Sequence, residues 1–138
     1  MIAMAIWRLL ADAVLLFHAA YVAFVVFGLI AIPIGAAFGV GWVRSFRFRM
    51  LHLAAMALVF VEMLTGMLCP LTVLEHDLRL RAGESGYPGD FITYWTHRVI
   101  FYSWPPWVFD VLYAGTMLAI VALLLLVPPD LRARRAAR

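Results

Sequence analysis

A chain of 138 residues is bounded to a single domain. Hydrophobic residues make up 66% of it and charged ones 14%, an apolar load that a water-soluble domain of this size could not bury, so a soluble globular class is excluded. The net charge of +3 comes from arginine without any lysine, and these arginines flank apolar runs, which points to anionic lipid headgroups and away from nucleic acid.

The arginine bias beside so much alanine suggests a GC-rich bacterial genome. A lone cysteine, Cys69, rules out an internal disulfide and leaves the redox compartment open. Met1 to Leu16 has no basic segment ahead of its apolar residues, and no small-residue cleavage site follows before Ile32. An uncleaved spanning helix over about 9–32 is therefore expected rather than a signal peptide. Arg8 and Asp12 stand four apart as a helical pair. Pro33, Gly35, Gly39 and Gly41 are read as its end, with Gly35 and Gly39 in a turn rather than on a packing face.

Trp42 to Arg49 is a basic, aromatic connection, and a second span is expected over 50–68. Pro70 breaks it. Thr72-x-x-Glu75 then has capping-box spacing and predicts an amphipathic surface helix over 73–82. Leu71, Leu74 and Leu78 share its apolar stripe, Glu75/Arg79 and Asp77/Arg81 pair on the other side, and Gly83 is the C-cap. Residues 83–90 are turn chemistry throughout. Residues 91–104 are rich in aromatics but too short to span, and predict an interfacial or re-entrant helix. The last span, 107–127, stops at Pro128-Pro129 before a basic tail.

The expected fold is thus all-α: one membrane domain over 1–138, a polytopic bundle of three transmembrane helices plus the surface helix and the interfacial or re-entrant aromatic helix. Seven arginines and one acid fall on the first connection and the tail, against four arginines nearly balanced by acids on the other side. The positive-inside rule puts the former in the cytoplasm and the N-terminus and the 69–106 connection outside a bacterial inner membrane. Arg44, Arg47, Arg49, Arg132, Arg134 and Arg135 are the expected contacts to anionic lipid.

Depth decides which polar groups can meet. In this orientation His18 lies roughly 14 Å below the start of the first span and Glu62 roughly 10 Å below Cys69, so the two can pair. His52 enters near the opposite surface, on the order of 15–20 Å from His18 in depth, which argues against a haem held by both. That placement makes His52 an interfacial histidine. A haem on His18 and His97, or copper(I) on Cys69 with Met63, Met67 and His76, stays open as an alternative, as does a protein partner.

Glu62 is the strongest signal, because an ionised carboxylate deep in a span costs at least ~2.5 kcal/mol and must face protein or water, or be protonated. His18, Tyr21, Glu62, Thr65, Cys69, Tyr113 and Thr116 are read as lining one outward-facing polar pocket, a ligand or proton site. The plainer reading is that Glu62 and His18 satisfy each other and fix helix register. Cys69 is a packed thiol, a redox thiol or a soft-metal ligand; no Cys-x-x-Cys or basic neighbour supports the second. No catalytic triad, phosphate loop or zinc spacing is present.

Phe17-His18, Leu51-His52, Glu62 with Gly66, Cys69-Pro70-Leu71-Thr72, Glu75, Leu78-Arg79, Arg81-Ala82-Gly83, Gly86-Tyr87, Gly89 and Phe91-Ile92 together form a longer pattern. The chain resembles, over roughly 10–125, domain-of-unknown-function family 2784 of small bacterial membrane proteins. The resemblance implies a polytopic inner-membrane protein and carries no biochemical activity. Trp104-Pro105 stands where the family commonly has Tyr-Pro, a change that keeps the proline break. Three functional classes follow: a non-enzymatic accessory or ligand-binding membrane protein, which is preferred; a haem- or metal-binding redox protein; and an enzyme or carrier for a lipid-phase substrate.

Overall fold

The computed structural model describes residues 1–85, 94, 95, 98 and 104–130. Four helices hold most of them: α1 (Ile2–Ala37), α2 (Phe46–Thr65), α3 (Pro70–Arg81) and α4 (Pro106–Leu126), with a 3-10 turn at Gly41–Arg44. Among the described residues there is no strand, only an isolated bridge between Ser45 and Asp130. The helix expected over 91–104 lies outside the described residues except at Tyr94, Trp95, Arg98 and Trp104, and so do His97, Arg132, Arg134 and Arg135.

α1, α2 and α4 are each long and apolar enough to cross a membrane. The chain is an all-α membrane protein. Their buried positions share one rule. On α1 the buried and half-buried stripe runs Ala11, Val14, His18, Tyr21, Val25, Gly28, Ile32 and Gly35. On α2 it includes Arg49, His52, Met56, Val59 and Met63, and on α4 Phe109, Tyr113, Thr116, Ile120 and Leu123, continued by Val127 just past its end. Each alternates steps of three and four, the heptad spacing of knobs-into-holes packing. Leu9, Phe17, Ile30, Leu58, Leu118 and Leu125 lie off the stripes and are exposed, as lipid-facing side chains should be.

Glycine, not proline, stops the first three helices. Pro33 sits on the exposed side of α1 and the helix runs on to Ala37. At Gly39 (φ 71°) the amide of Val40 reaches the carbonyl of Gly35 at 2.7 Å and the helix closes. α2 ends likewise at Gly66 (φ 65°), where the amide of Met67 reaches the carbonyl of Glu62. Gly83 (φ 76°) closes α3 through the amide of Glu84 and the carbonyl of Arg79. A residue in this left-handed conformation lets two amides turn back onto the last carbonyls, and only glycine adopts it without a Cβ clash. Gly66 has open space around it, so its role is conformational and not to admit a neighbour.

The described chain packs as two units, Met1–Tyr21 with Glu62–Asp110 and Val22–Val61 with Val111–Arg138. In the first, α3 runs antiparallel along the start of α1. Met4 lies nearest to Gly83, the Trp7 ring is under the Arg81 guanidinium at 5.2 Å, and Asp12 pairs with Arg79 at 3.3 Å. Arg8 pairs with Glu84. The pair expected within α1, Arg8 with Asp12, is replaced by ion pairs to Arg79 of α3 and to Glu84 just beyond it.

This packing also corrects the reading of α3. Its helix begins at Pro70, whose missing N–H costs nothing in the first helical turn, and Cys69 is the residue before it. Thr72 and Glu75 are therefore not a cap. Both lie inside the helix and are buried, with Leu78 and Ala82 on the same face, while Leu74 on the expected apolar stripe is exposed. The polar stripe faces the protein because Arg79 gives Glu75 a partner there.

In the second unit, small residues of α1 admit α2 and the turn before it. A Cβ on Gly28 would collide with the His52 ring, and one on Gly35 would meet Val43 at 2.5 Å. Gly35 is thus a packing position. Phe24, Phe27, Trp42, Phe48 and His52 form a continuous ring cluster, with Phe27 stacked on Trp42 and Phe48 on His52.

Candidate functional site

The polar groups of the first unit converge where α2 hands over to α3. Glu62 is half-buried in the last turn of α2. The closing turn at Gly66 brings the chain round so that Cys69, immediately before α3, has its thiol within hydrogen-bond reach of the Glu62 carboxylate. Tyr21, half-buried on the α1 stripe, is within electrostatic range of both. His18 is buried one turn before Tyr21 on the same stripe.

Burial pushes the Cys69 thiol above its ordinary range; the amides of Leu71 and Thr72 pull the other way, and the charge of Glu62 pushes up again. The thiol is therefore a proton carrier at neutral pH and not a thiolate. Thr72, one turn into α3, is 3% exposed, and its hydroxyl has no hydrogen-bond partner among the described residues.

Further along the same face of α3 lies an ion-pair network. Arg79 donates to Glu75 at 2.8 Å and to Glu84 at 3.0 Å, and pairs with Asp12, while Arg8 holds the other oxygen of Glu84. Glu75 is 0% exposed, and Arg79 is a charged partner that offsets its burial. Burial lowers the Arg79 pKa, but its bonds to Glu75 and Glu84 outweigh this and hold it above the usual arginine value. Hydrogen bonds from Arg79 hold the Glu84 carboxyl below the usual carboxylate range; partial burial opposes this and Arg8 reinforces it.

The other expected site residues fall as follows. Thr65 is exposed at the end of α2, and its hydroxyl donates to the backbone carbonyl of Glu62 at 3.2 Å. Tyr113 is half-buried on α4 and belongs to the second unit. Among the described residues, no three of His, Cys, Asp and Glu are grouped as metal ligands.

Two polar residues of the second unit stand elsewhere than expected. His52 is 1% exposed; its Nε2 donates to the Val25 carbonyl at 2.8 Å, so it is a buried strut and not an interfacial side chain. Arg49 is also buried, and its Nη2 donates to the carbonyls of Leu123 and Val127, so it is not a headgroup contact. It serves the end of α4, where Pro128 and Pro129 have no N–H to give and a cation suits the helix dipole. Arg44 and Arg47 remain exposed. The heptad register of α2 would have revealed this, since 49, 52 and 56 follow its inward steps. Position along the span, used alone, says nothing about which way a side chain faces.

The profile of the family described as Protein of Unknown function (DUF2784) matches residues 8–129. The chain belongs to that family. The match takes in α2 and α3, most of α1, and α4, so the Glu62–Cys69 junction of this DUF2784 protein lies inside the family region. No curated protein and no solved structure matches the chain.

Proposed function

We propose that this DUF2784 chain is a non-enzymatic bacterial inner-membrane protein. It binds a small polar ligand or a lipid headgroup at the Tyr21–Glu62–Cys69 junction, with His18 beside it. The observation that carries this reading is the Glu62 carboxylate meeting the Cys69 thiol at the end of a spanning helix. A carboxylate and a hydrogen-bonding thiol near a bilayer boundary are costly unless polar partners occupy the same place. Charge bias in the loops supports an orientation with the N-terminus and the 69–106 connection outside and the C-terminus cytoplasmic. Exposed Arg44 and Arg47, with Arg132, Arg134 and Arg135, then meet anionic lipid on the cytoplasmic side.

The test is gentle detergent purification of the full chain, followed by native mass spectrometry of wild type and Glu62→Gln. The expected result is a small molecule or lipid retained by wild type and lost from the variant. Equal retention by both, with the fold preserved, leaves Glu62 and its neighbours a purely structural role and ends the proposal.

A further inference from the structure

The start of α1 sorts its side chains by polarity. Its two charged residues, Arg8 and Asp12, both turn toward α3, Arg8 to Glu84 and Asp12 to Arg79. Met4 and Trp7 lie on that side as well, near Gly83 and under Arg81. Ile2, Ile6, Leu9, Ala13 and Leu16 advance in steps of four and three along the opposite side, and all five are exposed. The row continues in the same steps through Ala20, Ala23, Phe27 and Ile30, exposed likewise, in the part of the helix that faces lipid. No polar residue interrupts it.

The outer side of α3 has the other character. Asp77 and Arg81, one turn apart, are exposed on the side away from buried Glu75 and Ala82, between the exposed apolar edges at Val73, Leu74 and Leu80. The two helices thus form a layer that is apolar on the α1 side and charged on the α3 side. Left in water, the row on α1 would forgo about 25 cal/mol for each Å² of apolar surface. Lipid covers it with no change of face, because the row is continuous with that of the span.

We infer that α1 crosses the bilayer at a steep tilt, with the back of its first turns laid against the acyl chains of one leaflet and α3 seated over them on the water side. A slanted helix has an underside toward the chains and an upper side toward the headgroups, and α3 occupies the upper one. The length of α1 agrees. Its 36 residues make about 54 Å of helix, which at a tilt of about 40° covers about 41 Å of depth, within the ~40–45 Å of a bilayer with its headgroups. This surface is separate from the Tyr21–Glu62–Cys69 junction and does not depend on a ligand there.

The experiment uses the full chain carrying Cys69→Ser and one added cysteine, Ile6→Cys, Leu9→Cys, Leu16→Cys or Asp77→Cys, each bearing an environment-sensitive fluorophore. Ala13→Cys serves where Leu9→Cys fails to fold. The proteins are placed in vesicles of phosphatidylethanolamine and phosphatidylglycerol, and quenching by doxyl-labelled lipid is compared with quenching by aqueous iodide. Lipid quenching should exceed iodide quenching about threefold or more at Ile6, Leu9 and Leu16, and the order should reverse at Asp77. Iodide quenching at Ile6 and Leu9 would show that the start of α1 stands in water and would overturn the inference. Protection of both sites from both quenchers would overturn it too, since protein, a second copy or another chain, would then cover the row. Lipid quenching at Asp77 equal to that at Leu9 would overturn the order of the two layers.

Discussion

Gly28 and His52 show how a single missing side chain sets a packing distance. Because Gly28 has no Cβ, the imidazole can lie against α1 and donate to the carbonyl of Val25. Gly28→Ala should cost about 1–3 kcal/mol through overpacking. Gly115→Ala on α4, where nothing lies within 4 Å, should be neutral or stabilising by up to about 1 kcal/mol. Thermal unfolding of the two variants in one detergent measures the contrast, and equal midpoints would mean that α1 and α2 do not meet at Gly28. Cys69 makes a second prediction at this scale. Burial first, and then Glu62, raises its pKa, so maleimide labelling should stay slow at neutral pH and accelerate only above the ordinary thiol range. Glu62→Gln removes one upward push and should bring that onset to lower pH. An unmoved onset would show that the carboxylate is not beside the thiol.

At the scale of elements, α3 is held to α1 by charge as much as by apolar contact. Arg79 joins both helices and is the partner of fully buried Glu75. Arg79→Met should cost about 3–5 kcal/mol, because a buried carboxylate loses its charged partner, and Glu75→Gln in that background should recover part of the loss. Denaturant melts of the single and double variants decide this; a double variant no better than the single would locate the cost elsewhere. The same network predicts acid sensitivity. Arg79 depresses the folded-state pKa of Glu84, so its contribution is present above the ordinary carboxylate range and is lost as pH falls through the depressed value. Proteolysis within the α3 region should therefore rise on acidification, and less so in Glu84→Gln. Arg49 plays the matching part for α4. Arg49→Met should cost about 1.5–3 kcal/mol by stripping a charged donor from two carbonyls at a helix end.

On the scale of the whole molecule, the lengths of the helices do not match. α1 has 36 residues and α2 has 20, which correspond to about 54 Å and about 30 Å of helix. A hydrocarbon layer ~30 Å thick accommodates α2 but not all of α1. The segment of α1 that carries Arg8 and Asp12 is also the one that α3 covers. α3 therefore covers the start of α1, where its charged residues lie. An impermeant thiol reagent added to intact cells at alkaline pH should label Cys69 if the 69–106 connection is outside. Labelling only after the membrane is opened would reverse the orientation.

Composition and apolar runs by themselves determined the class and the number of spans, because transfer of a long apolar segment out of water is a local property of the sequence. Glu62, Cys69 and Pro70 were legible as a polar junction for the same reason: charge, thiol and proline are conspicuous in an apolar run. Facing was not legible from depth alone. Glu75 turned inward beside Arg79, which also reaches Asp12 of α1, and Arg49 and His52 because α4 and Gly28 were there to receive them. Which way a polar side chain faces depends on the neighbours that packing brings to it, and they are in place only once the chain has folded.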